Sequence, residues 1–302
     1  MRRFFVAIFW YLGVVGCLGL LSCLLIRSYF HISVPDFESD PEVEVLILGD
    51  SHPLHSISAA LLGKSRNDAK SSENYFNTYI DLCLEMPLLP HLKTVILGIG
   101  YHTFTVADDL YQDEFPAYMS IYPRLKERDD LRPLAQEVVS SVTRREVMYS
   151  YEFGIPFKSC VAEIKKNVIE CLFTETTGGT LDVIIDRHYY DNKSACLLPS
   201  SFQQGMLRRI VEECKKRNLS LILYNAPVST QYMERVPQSY RRLTDSLARE
   251  YVDDRMVFYL NYTAVLLPDS CYRDADHLNE IGINKFTPFL KDTLTCLGII
   301  AE

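Results

Sequence analysis

The sequence predicts an α/β fold: a parallel sheet covered by helices on both faces, preceded by one N-terminal transmembrane helix. Three observations point there. Four short apolar runs each stop at a small or polar turn. Amphipathic segments flank the third of these runs. The chain opens on an uncharged stretch of 23 residues, Phe4 to Ile26. With 48% hydrophobic and 23% charged residues, the remainder has the balance of a globular chain rather than a disordered one.

The opening stretch would span ~35 Å as a helix, enough for a hydrocarbon core of ~30 Å. Val14-Val15-Gly16-Cys17 and Leu20-Leu21-Ser22-Cys23 faintly resemble lipoprotein cleavage boxes, but the apolar run continues past both cysteines, which suits an uncleaved anchor. Arg2, Arg3 and the amino terminus outweigh Arg27 on the far side, so the N-terminus is expected inside and the rest outside. Residues 1–27 then form a cytoplasmic stub and anchor. Residues 28–42, with Pro35, Pro41 and four acids, form a linker to one domain over 43–302.

Within that domain the first strand is Val43 to Leu48, ending in Gly49-Asp50. The second is Thr94 to Leu97, ending in Gly98-Ile99-Gly100. Leu219 to Tyr224 stops at Asn225-Ala226-Pro227, and Met256 to Leu260 stops at Asn261. Continuous apolar runs of this length suit strands buried on both faces. Phe202, Met206, Leu207, Ile210, Val211 and Cys214 recur at helical spacing, as do Tyr240, Leu243, Leu247 and Tyr251. In parallel sheets of this kind ligands sit at the carboxyl ends of the strands. That edge would carry Asp50-Ser51-His52, Tyr101-His102 and Asn225.

The stretch from about 103 to 198 breaks the rhythm and reads as an insertion or cap beside the strand ends. It contains Tyr111, Tyr118, Tyr122, Tyr149, Tyr151, Tyr189 and Tyr190, and an amphipathic segment from Phe157 to Leu172 that includes Cys160 and Cys171. Its tyrosines either stack on sugar rings or pack a structural lid. Lys and Arg number 31 against 39 Asp and Glu, a net charge of −8 with no basic run, which excludes a nucleic-acid partner.

Two segments carry chemistry. Gly49-Asp50-Ser51-His52 follows a strand and precedes a helix expected over Ser56 to Leu62. A serine there presents its hydroxyl at the strand end, near backbone N–H groups suited to an oxyanion. Near the C-terminus, Asp274-Ala275-Asp276-His277-Leu278-Asn279 sets a carboxylate three residues before a histidine. Asp274 can hold one ring nitrogen while the other faces Ser51 and takes its proton. The structural alternative makes His277 a helix-start residue and Asp276 an N-cap. His52 and His55 flank the serine, but no third ligand is placed by the sequence, so neither a metal nor another cofactor is expected. His31, His91 and His188 have no partner in the sequence.

On these residues the chain resembles the SGNH/GDSL hydrolases, over roughly 43–102 and 219–296. His277-Leu278-Asn279 followed by Gly282 is similar to the cell-envelope branch of that family, which acts on acyl groups of exopolysaccharides and teichoic acids. The resemblance implies a flavodoxin-like three-layer α/β/α fold. It makes Ser51 nucleophile, His277 base and Asp274 its orienting acid, with Asp50 and Tyr101 beside the substrate. The middle blocks depart from the family pattern. Ser72 stands at the glycine position, and its backbone N–H could serve the oxyanion. His102 replaces the family asparagine, and its ring N–H could do so as an amide does. The implied function is a membrane-anchored esterase or O-acyltransferase with an acylated glycan or other ester as partner. The alternative is a non-catalytic glycan-binding or assembly protein of the same fold. For a bacterium, the implied location is the inner membrane with the domain in the periplasm.

The orientation has a direct check. A phosphatase reporter fused at the C-terminus is expected to be active outside the cytoplasm. Activity only from a cytoplasmic reporter at that position would contradict the N-in, C-out reading.

Overall fold

A computed structural model of the chain describes residues 10, 11, 13, 39–106, 180–191, 193–253 and 255–300. The chain divides into two compact units: Met1–Asp36 with Gln112–Thr176, and Phe37–Tyr111 with Thr177–Glu302. The second unit holds the sheet. The expected span and the Phe157–Leu172 segment lie outside the described residues, save for helical Trp10, Tyr11 and Gly13. Among the described residues no helix is long and apolar enough to cross a membrane.

Five strands form one parallel sheet: β1 (Val45–Leu48), β2 (Ser65–Asn67), β3 (Thr94–Gly98), β4 (Ser220–Asn225) and β5 (Val257–Asn261). Their order is β2-β1-β3-β4-β5. That order is the flavodoxin-like doubly wound one, which puts the topological switch point between β1 and β3. β1, β3 and nearly all of β4 are buried residue by residue. They sit in the centre of the sheet, where both faces are covered and no polar side is needed.

The helices are α1 (Ser51–Leu54), α2 (Ala59–Leu62), α3 (Tyr75–Glu85), α4 (Leu181–Tyr189), α5 (Ser201–Lys216), α6 (Thr230–Arg235), α7 (Gln238–Tyr251) and α8 (Glu280–Cys296). On one face of the sheet Val45, Ile47, Ile96, Ile222 and Tyr224 join Leu62 of α2 and Phe286, Leu290 and Leu294 of α8 in one apolar cluster. Strand side chains alternate, so Leu46, Leu48, Val95, Leu97, Leu221 and Leu223 point to the other face, and all six are fully buried. α3 and α5 pack together, and α5 lies on β4.

The structure changes one sequence expectation, adds a strand the sequence did not show and decides two alternatives. The helix after Ser51 does not run from Ser56 to Leu62. Asp50 caps a helix that begins at Ser51 itself, and the chain turns before α2. Asn67 braces that turn: its Nδ2 donates to the carbonyls of Pro53 and Ile57, at 3.2 and 2.9 Å. Strand β2 has no apolar run, because it is a short, half-buried edge of Ser, Arg and Asn. Asp276 is not an N-cap; Asn279 caps α8, accepting from the N–H of Gly282 at 3.0 Å. Tyr189, in the tyrosine-rich stretch, is fully buried and is no exposed stacking platform.

Both ends of that stretch join the main unit. Ser200 N–H donates to the Phe104 carbonyl at 2.8 Å and Val106 N–H to the Leu198 carbonyl at 3.0 Å, and Phe104 is fully buried. α4 then packs on α6.

Gly282 explains part of the motif after His277. A Cβ there would sit 2.2 Å from the Cys271 carbonyl oxygen and 3.1 Å from the Leu278 side chain. Gly282→Ala is therefore expected to destabilise the fold by about 1–3 kcal/mol, the usual range for overpacking. Chemical denaturation checks this, and an unchanged midpoint would contradict the close packing of α8 on the preceding loop.

Candidate active site

The site forms at the carboxyl ends of β1 and β3, where the two strands approach closely. Gly49 has φ 123°, a region that favours glycine, and a Cβ there would lie 3.0 Å from the Gly98 backbone nitrogen. A Cβ on Gly98 would lie 2.7 Å from the Pro53 ring. These contacts fix where α1 begins. Asp50 Oδ1 accepts from the His52 N–H at 2.8 Å, so the first helical residue, Ser51, is held at the strand end.

The second part comes from the loop before α8. Asp274 Oδ1 accepts from the backbone N–H groups of Asp276 and His277, at 3.2 and 2.9 Å. Asn279 Nδ2 donates to the carbonyls of Ser270 and Tyr272, at 2.8 and 3.1 Å. The loop so braced places His277 Nδ1 2.9 Å from Asp274 Oδ1 and His277 Nε2 2.7 Å from Ser51 Oγ. The structure thus brings Ser51, His277 and Asp274 into one hydrogen-bonded line. Ser51 is half-buried and His277 is 8% exposed, so the line ends near solvent.

Burial pushes the imidazole of His277 toward its neutral form. Hydrogen bonds and charge from Asp274 and Asp276 outweigh that and raise its pKa to about 9. His55, whose ring lies 5.4 Å from His277, is pushed the other way, to about 4, by burial and by the charges of Arg273 and His277.

Behind Ser51 lies a set of groups that the sequence reading left unconnected. His102 Nε2 and Asp50 Oδ2 are 2.8 Å apart. Burial opposes ionisation of Asp50, but His102 and His52 outweigh it and hold the carboxyl well below its ordinary range. That nitrogen of His102 is committed to Asp50, so the oxyanion contact expected of His102 cannot come from it. The ring also needs Gly100 beside it, since a Cβ there would meet His102 Cε1 at 2.5 Å. His188 of α4 stacks on His102 with centroids 4.5 Å apart, and its Nδ1 lies 2.9 Å from the Tyr232 hydroxyl. His52 Nε2 lies 3.5 Å from Asp276 Oδ2.

His188 had no partner in the sequence because it lies inside the irregular stretch, far from either motif. His52 and Asp276 were adjacent to the motifs, and that adjacency was the available signal. The two remaining expected residues sit apart. Tyr101 is buried, and its hydroxyl accepts from Asn261 Nδ2 on β5 at 3.0 Å. Ser72 is exposed in the turn before α3, with φ 60°. Among the described residues neither is hydrogen-bonded to Ser51 or His277. Two triads, Asp50-His52-His102 and His52-Asp276-His277, have possible ligand atoms within 4.8 Å of one another. In the first, Asp50 and His102 already hold a hydrogen bond to each other, and in the second His277 already holds Ser51 and Asp274; a cation would have to replace these.

No protein-family model matches the chain, and no curated protein matches it. Solved structures do. A protein assigned to the G-D-S-L lipolytic family from Desulfitobacterium hafniense is 12% identical, with 83% of this chain and 98% of that one covered and a TM-score of 0.40. A GDSL-like lipase from Bacteroides thetaiotaomicron is 10% identical over 84% and 89%, with a TM-score of 0.40. An assigned acylhydrolase from Bacteroides fragilis is 9% identical over 88% and 92%, with a TM-score of 0.41.

The Asp50–His102 pair gives a stability prediction. His102→Ala would leave a buried carboxylate without its partner, and is expected to lower stability by about 3–5 kcal/mol. Adding Asp50→Asn should recover part of the loss, because position 50 then carries no unpaired charge. Denaturation curves of the three variants check this; a stable His102→Ala protein would contradict the pairing.

Proposed function

We propose that the chain is a serine esterase or O-acyltransferase of the SGNH type, acting on acyl esters of cell-envelope glycans, acetyl esters foremost. We further propose that residues 4–26 anchor it in the inner membrane with the site outside the cytoplasm. The observation that carries the catalytic reading is the 2.7 Å contact between His277 Nε2 and Ser51 Oγ, with Asp274 on the opposite ring nitrogen. The glycan and the anchor rest on the sequence resemblance and on the N-terminal apolar stretch.

In this mechanism Ser51 Oγ attacks the ester carbonyl carbon as His277 Nε2 takes the hydroxyl proton. Asp274 keeps the proton on Nδ1 and stabilises the imidazolium that forms. The carbonyl oxygen becomes an oxyanion beside the Ser51 backbone N–H, which heads α1. The tetrahedral species collapses as His277 returns its proton to the departing sugar oxygen, leaving acyl-Ser51. Water, or a second sugar hydroxyl, then gives its proton to His277 and attacks the acyl carbon; His277 passes that proton to Ser51 Oγ as the acyl–serine bond breaks, releasing the acid or the new ester. The same three residues serve both outcomes.

Two measurements test the reading. Ser51 is expected to form a covalent adduct with an organophosphonate and to turn over p-nitrophenyl acetate. Ser51→Ala should abolish both, and His277→Ala should lower turnover by about 10³-fold or more, with Asp274→Asn milder than either. Equal labelling of wild type and Ser51→Ala would assign the reaction to another residue. The pH dependence follows from His277, which must be unprotonated to act as base. Because its pKa is raised to about 9, kcat/KM should climb as pH rises through that value and fall tenfold per unit below it. A profile flat from neutral to alkaline pH would contradict the raised pKa of His277.

A further inference from the structure

The pattern of a carboxylate three residues before the histidine assigns one acid to His277, but the structure places two there. Asp276 is 1% exposed, and its Oδ1 lies 3.2 Å from His277 Nδ1. The single N–H at Nδ1 is directed at Asp274, whose oxygens are 2.9 and 3.1 Å away, so Asp276 Oδ1 makes an ion-pair contact without an aligned hydrogen bond. A carboxylate this deep is stable only where it is paired. The partners come from three elements. His52 of α1 reaches Oδ2 at 3.5 Å, His188 of α4 lies 3.9 Å from the same oxygen, and His277 flanks Oδ1. Tyr232 of α6, hydrogen-bonded to His188, closes the back of the group.

We infer that Asp276 is a second carboxylate for His277, a positioning residue that holds the imidazole toward Ser51 and strengthens it as a base. The inference rests on the reading of His277 as the base and adds a residue that the motif does not contain. Its physical content is Coulombic and steric. A second negative charge behind Nδ1 favours the imidazolium, and Asp276 blocks rotation of the ring away from Asp274. His52 and His188 hold Asp276 in that place, which gives these two buried rings a role as its supports. Both are pushed toward the neutral form, chiefly by burial. Neutral rings can donate to a carboxylate without cancelling its charge.

The groups facing His277 are Asp274, Asp276 and Arg273 from its own loop, Ser51 and His52 from α1, and His55 just beyond. Arg273 contacts Asp274 and His55, each at 3.4 Å, and is unchanged in every variant below. The test is a titration of the full chain by NMR of its seven histidine rings, with the His277 signal identified by its loss in His277→Ala. Wild type is expected to show a His277 midpoint near 9. Removing one of two nearby negative charges lowers it, so Asp276→Asn should move the midpoint down by about one unit or more. The pH limb of Ser51 phosphonylation should move with it.

A purely structural role for Asp276 would lower the melting temperature and leave the His277 midpoint where it was. An unmoved midpoint in folded Asp276→Asn therefore overturns the inference, as does a phosphonylation limb that stays put while the midpoint shifts. If Asp276→Asn does not fold, the double variant Asp276→Asn with His52→Gln replaces the buried pair by two neutral hydrogen-bonding groups and serves the same titration with the same expectation. The titration is read on the resting protein. A wild-type Ser51 that takes no phosphonate would defeat the proposed function, while the midpoint would still report whether Asp276 acts on His277.

Discussion

The contact between His277 Nε2 and Ser51 Oγ joins two turns that are 226 residues apart in sequence, and the local structure around both is arranged to keep it. A hydroxyl and an imidazole share a proton productively only over a few tenths of an ångström, so each turn has to be rigid. On the Ser51 side rigidity comes from glycine. Gly49 and Gly98 let β1 and β3 approach with the Pro53 ring between them, and Asp50 closes the first turn of α1. On the His277 side it comes from hydrogen bonds. Asp274 binds two backbone N–H groups as well as the ring, and Asn279 ties the loop to the start of α8.

The same constraint explains why so many titratable groups are buried beneath a single serine. Asp50 is needed to cap α1, and once buried it needs His102. His102 fits only because residue 100 is glycine, and it is covered in turn by His188. Asp276 is the neighbour of His277 and takes His52 and His188 as partners. Each buried charge recruits the next ring, and the result is a polar floor under the site in place of an apolar one. Such a floor is strict about its members, because removing one leaves another unpaired in low dielectric.

Much of this was legible in the sequence, for physical reasons that differ by element. β1, β3 and β4 stand out because strands buried on both faces are unbroken apolar runs, and β5, a half-buried edge, because Val257 to Leu260 is still an apolar run. α5 and α7 stand out because one face of each is polar. β2 is hidden because Ser65, Arg66 and Asn67 form an edge with no apolar signal. α3 is hidden because it buries Asn77, Asp81 and Glu85 among its apolar residues, and α8 because Pro288 lies inside it. Of the site, Ser51, Asp274 and His277 were visible because each sits in a short motif whose spacing dictates its local geometry. His188 was not, since its place depends on how the long segment between β3 and β4 returns to the sheet. His102 was visible as a residue, but its partner was not: the pairing with Asp50 depends on the β1–β3 approach, a tertiary property.

The central claim is that Ser51 becomes covalently acylated. It is tested most directly by mixing the protein with p-nitrophenyl acetate, quenching in acid and mapping the acyl group by mass spectrometry of the digested chain. The account predicts one acetyl group, on the peptide that carries Ser51, formed within the burst of p-nitrophenol release and absent from His277→Ala. Acetyl groups scattered over lysines, or an equal yield from His277→Ala, would contradict it.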